Sequence, residues 1–208
     1  MTAIILAGGK SSRLGRNKAL QVLGGKSLIQ RVVERLDVLS AEIVIVTAGG
    51  EGMPVSSAAT IKTVPDIYAG RGPLVGLYSG LSASTSQQAI VVGCDMPFLS
   101  IGLLQYMAQI SSAFDIVVPR IEDKVEPLCA VYSTTCIPAI RELLEHDELK
   151  VNRLFGMVQV RYVGEDEIDR FDPELLSFFN INSRADLVRA GQIAAEKGQM
   201  EEGRDVVL

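Results

Sequence analysis

Four cations fall within the nine residues from Lys10 to Lys18: Lys10, Arg13, Arg16 and Lys18. Spread evenly, the 20 Lys and Arg of this 208-residue chain would place roughly one in such a window. The cluster follows Ile4-Ile5-Leu6-Ala7-Gly8-Gly9, an apolar run that breaks into glycines. Gly8 and Gly9 let backbone amides approach an anion closely, because no Cβ stands in the way, and the cations can then hold a polyphosphate. The formal net charge is −5, so this is a local anion site and not a basic protein. A second candidate is Asp95, which directly follows the apolar run Ala89 to Gly93 and Cys94, and precedes Met96-Pro97. A carboxylate at the tip of a parallel strand can hold Mg²⁺ against phosphate oxygens, since Mg²⁺ takes one or two carboxylates plus the substrate. Asp66, in Val64-Pro65-Asp66, sits similarly, although Pro-Asp is also ordinary turn chemistry.

Other chemistries find less support. The only histidine, His146, lies in the charged stretch Glu145-His146-Asp147-Glu148, where it is expected to be solvated. Cys94 has no histidine near it in sequence and reads as a small buried residue, so Ser/His and Cys/His triads lose their base. The first loop is no Walker A motif, because Leu14 stands where the second glycine is required, and its glycines do not follow G-x-G-x-x-G. Gly70-Arg71-Gly72-Pro73-Leu74-Val75-Gly76 comes nearer that fingerprint but has one residue too many.

The elements that must position these residues alternate. Strands are expected at Thr2 to Ala7, Glu42 to Thr47, Thr60 to Val64, Ala89 to Gly93, Asp115 to Pro119, Glu126 to Tyr132 and Gln159 to Val163. Helices are expected at Ser27 to Leu39, Leu74 to Ala83, Ser100 to Ile110 and near Ile137 to Glu145. Ser183-Arg184-Ala185-Asp186 has the form of a helix N-terminus, with Ser as cap and an acid three residues on. Continuous apolar strands between amphipathic helices imply an α/β fold, its parallel sheet covered on both faces. Ligands of such sheets sit outside the carboxyl ends of the strands. The loops after Ala7, Val64 and Gly93 would all open on that edge, which is the reason to expect an active site there.

Composition bounds the rest. With 48% hydrophobic residues, residues 1–208 are expected to form a single domain, with a polar C-terminal tail (about 197–208) that frays. The acidic balance, 5% aromatics and absence of Trp argue against nucleic-acid partners. No stretch has the form of a signal peptide or the length of a membrane span. Cys94, Cys129 and Cys136 are odd in number and far apart, which suggests neither a disulfide framework nor a zinc site. A cytoplasmic protein with reduced thiols is expected.

The ordered set LAGGKSSRLG-x-x-K, PD followed by GRGPLVG, CDMPF, EPLCAVY and FNINSRADL resembles the molybdenum cofactor guanylyltransferases, from Ile4 to about Leu187. That resemblance implies a Rossmann-like three-layer sandwich of nucleotidyltransferase type with a mostly parallel sheet. It implies transfer of GMP from Mg-GTP to molybdenum-bound molybdopterin, with pyrophosphate released and the guanine dinucleotide cofactor formed. Carried over by position, Leu6, Ala7, Gly8 and Gly9 would border the nucleotide, Lys18 would contact its phosphates, Asp66 would help hold it and Asp95 would bind Mg²⁺. Asn180-Ile181-Asn182 resembles a late motif placed near the acceptor, and cofactor-delivery proteins would be partners. Three positions depart from the pattern. Asn17 stands where relatives have Asp, Leu14 replaces Met, and Ala48-Gly49-Gly50 lacks an asparagine that relatives place near the base.

The residues present suit this chemistry. An acceptor phosphate is already an anion, so its attack on the α-phosphorus needs no histidine base. Catalysis can rest on aligning two polyanions and neutralising the charge that develops toward pyrophosphate, the work of Lys18, Arg13 and a Mg²⁺ on Asp95. The alternatives are a molybdopterin cytidylyltransferase, a sugar-1-phosphate nucleotidyltransferase, and a nucleotide-binding regulatory module without turnover. The Leu-Ala-Gly-Gly start and Cys-Asp-Met-Pro turn speak against the first and FNINSRADL against the second. The third leaves Asp95 without a purpose, since binding alone would not need a metal carboxylate beside the cation cluster.

Overall fold

A strand that is apolar on both faces needs cover on both, and β1 (Thr2–Leu6) has it, its first four residues being buried. The computed structural model describes residues 1–8, 18–67 and 71–204. After β1 come a short hairpin, β2 (Val22–Leu23) and β3 (Lys26–Ser27), then α1 (Leu28–Leu36), β4 (Glu42–Thr47), β5 (Thr60–Pro65) and α2 (Pro73–Ala83). The second half runs β6 (Gln88–Gly93), α3 (Ile101–Ile110), β7 (Ile116–Ile121), β8 (Lys124–Val125), β9 (Cys129–Ser133), α4 (Ile137–Glu145), α5 (Val151–Leu154), β10 (Val160–Val163), α6 (Glu165–Ile168) and α7 (Arg184–Arg204).

The main sheet has the order β10-β7-β9-β6-β1-β4-β5, with β8 paired to β7. β1 lies parallel to β4 and β6, β4 to β5, and β7 to β10; β9 runs antiparallel to both β6 and β7. The sheet is therefore mostly parallel, reversed at β9 near its middle and at the short β8, which runs antiparallel to β7. One face packs on α1, α3 and α6 through Ile29, Val33, Leu36, Leu103, Met107 and Ile168. The other packs on α2, α4 and α5 through Leu74, Leu77, Leu81, Ile140, Val151 and Leu154. These are the three layers the resemblance implies.

Local sequence explains the helix starts. Ser27 caps α1, its hydroxyl accepting from the Gln30 N–H at 3.3 Å, and the face Leu28, Ile29, Val32, Val33, Leu36 is fully buried. α1 stops at Leu36, three residues short of the expected end. Gly72 starts α2 at φ 110°, a conformation that favours glycine, and Pro73 follows at the first helical position, where its missing N–H costs nothing. α2 then approaches β1 closely. A Cβ on Gly76 would lie 3.4 Å from a Leu6 methyl, and one on Gly80 only 2.5 Å from Ile4 Cγ2. α7 runs to Arg204, into the polar tail.

Candidate active site

Three ladders overrun their strand ends at the carboxyl edge of the sheet. The Ala7 N–H donates to Val46 O at 2.8 Å, the Cys94 N–H to Leu6 O at 3.2 Å and the Asp66 N–H to Thr47 O at 2.7 Å. These bonds draw the loops after β1, β5 and β6 together, and the three expected motifs meet in a single cavity of about 300 Å³. Its walls include Leu6, Ala7 and Gly8 from the β1 loop, Asp66, and Cys94 and Asp95 after β6, with Lys18 closing one side. The N-terminus of α2 forms another wall through Gly72, Pro73 and Gly76.

Asp95 and Lys18 are 77 residues apart in sequence and form an ion pair, Lys18 Nζ donating to Asp95 Oδ2. Each side chain is about one-fifth exposed (20% and 19%), so the pair is sheltered yet reachable from the cavity. Gly93 makes the pairing possible. A Cβ at that position would lie 2.5 Å from Asp95 Oδ1, so the carboxylate folds back over a residue that has no side chain. The Lys18 ammonium also donates to Asn182 Oδ1 at 2.7 Å. Asp66 is buried at the opposite side, its Oδ2 3.6 Å from where a Gly8 Cβ would stand. Gly8 thus lies in a gap that larger residues would narrow.

Cys94 lines the same cavity, yet burial, followed by the adjacent Asp95 charge, pushes its thiol up to about 12. A protonated thiol is neither a nucleophile nor a ligand for a hard cation. The residues do fit a hard divalent ion of the Mg²⁺ kind. Asp95 offers carboxylate oxygen on a partly open cavity, and among the described residues no group of three or more His, Cys, Asp or Glu could ligate a metal by itself. Such an ion would draw its other ligands from phosphates and water.

Of the residues expected from the sequence, Leu6, Ala7, Gly8, Lys18, Asp66 and Asp95 line this cavity together. Gly9 and Arg13, with Lys10 and Arg16, lie outside the described residues. His146 is exposed at the C-terminal cap of α4, its Nδ1 2.8 Å from Glu142 O, and does not line this cavity. Asn182 reaches Lys18, whereas the Asn180 amide turns to Phe178 O at 3.3 Å. Leu128 is a wall residue that sequence reasoning missed. Because β9 is antiparallel, its amino end reaches the active edge, and the Gly93 N–H donates to Leu128 O at 3.1 Å. The available signal was the EPL stretch at the start of an apolar run.

The family of MobA-like NTP transferase domains matches residues 3–160, about three quarters of the chain. A probable molybdenum cofactor guanylyltransferase of Pelotomaculum thermopropionicum is 39% identical over 196 residues, covering 93% of each chain. The chain belongs to this family. The molybdenum cofactor guanylyltransferase of Desulfosudis oleivorans is 34% identical over 195 residues, covering 91% of this chain and 94% of its own. Among solved structures, the molybdopterin-guanine dinucleotide biosynthesis protein A of Archaeoglobus fulgidus superposes with a TM-score of 0.78 at 25% identity, covering 94% of this chain and all of that one. Membership makes the chain a nucleotidyltransferase. Among the described residues no helix is long and apolar enough to cross a membrane.

Proposed function

We propose that this nucleotidyltransferase transfers GMP from Mg-GTP to the terminal phosphate of molybdenum-bound molybdopterin. An acceptor phosphate oxygen forms a bond to the α-phosphorus, the bond between α-phosphorus and the bridging oxygen breaks, and pyrophosphate leaves with that electron pair. The observation that carries this reading is the Lys18–Asp95 pair on the wall of a cavity that β1 continues to Asp66. One cation and one carboxylate side by side on a cavity wall support a reading in which two polyanions are brought together.

This reading gives each residue a task. The backbone of Leu6, Ala7 and Gly8 borders the nucleotide, and Gly8 permits close approach. Lys18 supplies a point charge to the phosphates, and Arg13 adds a second cation as pyrophosphate charge develops. Asp66 anchors the far side of the nucleotide. Asp95 would hold Mg²⁺, which when bound would supply positive charge to neutralise phosphate oxygens. No side chain needs to remove a proton, because the acceptor is already ionised. GTP and molybdopterin are the substrates, proteins that deliver the cofactor are the partners, and the cytoplasm is the compartment.

Pyrophosphate release with Mg-GTP and a molybdopterin acceptor tests the reaction, and calorimetry with GTP and CTP tests the base. GTP is expected to bind more tightly. Without the usual asparagine near Gly49, the margin is reduced by about one hydrogen bond, roughly a factor of two to twelve. CTP binding as tightly as GTP, or tighter, would overturn the guanine assignment and leave the nucleotidyl transfer standing. Nucleotide binding without pyrophosphate release would make it a regulatory module.

A further inference from the structure

The stretch that leads into α7 touches the Lys18–Asp95 pair twice. The Ile181 N–H donates to the backbone carbonyl of Asp95 at 3.0 Å, and Asn182 Oδ1 accepts from Lys18 Nζ at 2.7 Å. Ile181 is fully buried in a small core with Leu23, Leu28 and Ala190. On the other side, the Asn182 N–H donates to Asp186 Oδ2 at 2.9 Å. The same oxygen accepts from the Ser183 N–H and Oγ, while Ser183 Oγ accepts from the Asp186 N–H. Asn182 is thus fixed between a buried anchor and the cap of a helix. Its side chain is aimed at an ammonium 164 residues away in sequence.

An ammonium has three protons and no acceptor capacity. Among the described residues Asp95 accepts one of the Lys18 protons and Asn182 another, which leaves the third for a phosphate. A divalent cation that binds Asp95 competes with Lys18 for the same carboxylate. With Asp95 as its sole partner, the long Lys18 side chain would lose its position when the carboxylate was claimed. We propose that Asn182 is a positioning residue for Lys18: it retains the ammonium at the cavity when a divalent cation draws on Asp95. The inference deepens the nucleotidyl-transfer reading and rests on it for its consequence, which is tighter nucleotide binding. It differs from a direct contact between Asn182 and the acceptor, which would leave the affinity for GTP unchanged.

A double-mutant cycle decides, using wild type, Asn182→Ala, Lys18→Met and the pair, each first shown by thermal melting to be folded. GTP affinity is read by calorimetry at saturating Mg²⁺. Asn182→Ala is expected to weaken GTP about fivefold with Lys18 present and less than about twofold in the Lys18→Met background. Asn182→Asp, which keeps an acceptor oxygen, is expected to restore the wild-type dependence on Lys18. Equal losses in both backgrounds, or no loss in either, overturn the proposal. A wild-type chain that binds no GTP overturns the nucleotide reading instead, and the same four proteins titrated with Mn²⁺ by electron paramagnetic resonance, without nucleotide, still decide. Lys18→Met should then tighten Mn²⁺, and Asn182→Ala should weaken it only where Lys18 is present. Mn²⁺ affinity indifferent to Asn182 overturns the proposal on its own.

Discussion

Gly93→Ala isolates the position of the Asp95 carboxylate from its presence. The new Cβ would stand 2.5 Å from Asp95 Oδ1, so the oxygen has to retreat to the 3.4 Å of ordinary contact, about 0.9 Å. The next neighbours, Met96 Sδ and Cγ at 3.5 and 3.6 Å, are already at ordinary distance and need not move. Gly93 is not among the glycines of positive φ, and its N–H keeps its bond to Leu128 O, so alanine strains no backbone. The steric cost falls on the far end of one side chain, and that end is the one paired with Lys18. A displacement near 1 Å of a catalytic group costs about 100-fold when the reacting geometry depends on it. The variant should therefore lose about 10- to 100-fold in kcat, or roughly 1.4–2.7 kcal/mol of transition-state stabilisation. Its urea unfolding free energy should stay within about 0.5 kcal/mol of wild type. The assay is pyrophosphate release at saturating Mg-GTP beside a urea titration. A variant with wild-type kcat would show that the carboxylate does not work from its place over Gly93. A loss of activity matched by a loss of folded protein would remove the argument altogether.

Asp95→Asn keeps the shape and removes the charge, so turnover at limiting Mg²⁺ should fall by orders of magnitude while the melting temperature holds; full activity there would refute the metal assignment. Gly80→Ala tests packing: overpacking against the stiff Ile4 side chain costs about 1–3 kcal/mol, against about 1 kcal/mol gained in helix propensity. A urea midpoint equal to or above that of wild type would mean that α2 can back away from β1. The thiols should be inert in the native protein. Burial pushes Cys94 and Cys136 up to about 12 and raises Cys129 as well, so at pH 8 roughly one Cys94 or Cys136 thiol in ten thousand is a thiolate. Ellman's reagent should release its dye only on unfolding, and a fast native phase at pH 8 would contradict that burial.

What the sequence made legible is what its local pattern controls. β4 matches the expected Glu42 to Thr47, and within the helix expected at Ser27 to Leu39 the residues Leu28, Ile29, Val32, Val33 and Leu36 form one buried face, because strand runs and 3.6-residue periodicity are local quantities. α5 and α6 escaped because four residues are barely one turn and carry no period, and β8 because two residues carry no alternation. The site divides along the same line. Gly8, Asp66 and Asp95 could be placed on one edge without coordinates, since parallel strands present their carboxyl ends together. Leu128 could not, because the rule reverses for β9 and nothing in an apolar run states its direction. Nor could the partners of Lys18. Spacing to the glycine loop says that a cation follows that loop, while the acceptors that hold it lie 77 and 164 residues away. Asn182 was legible only as part of a late motif, and its aim depends on the burial of Ile181 and on a helix cap that follows it. The charges of this site can be read from the chain, but the geometry that sets them against each other comes from small residues and distant anchors.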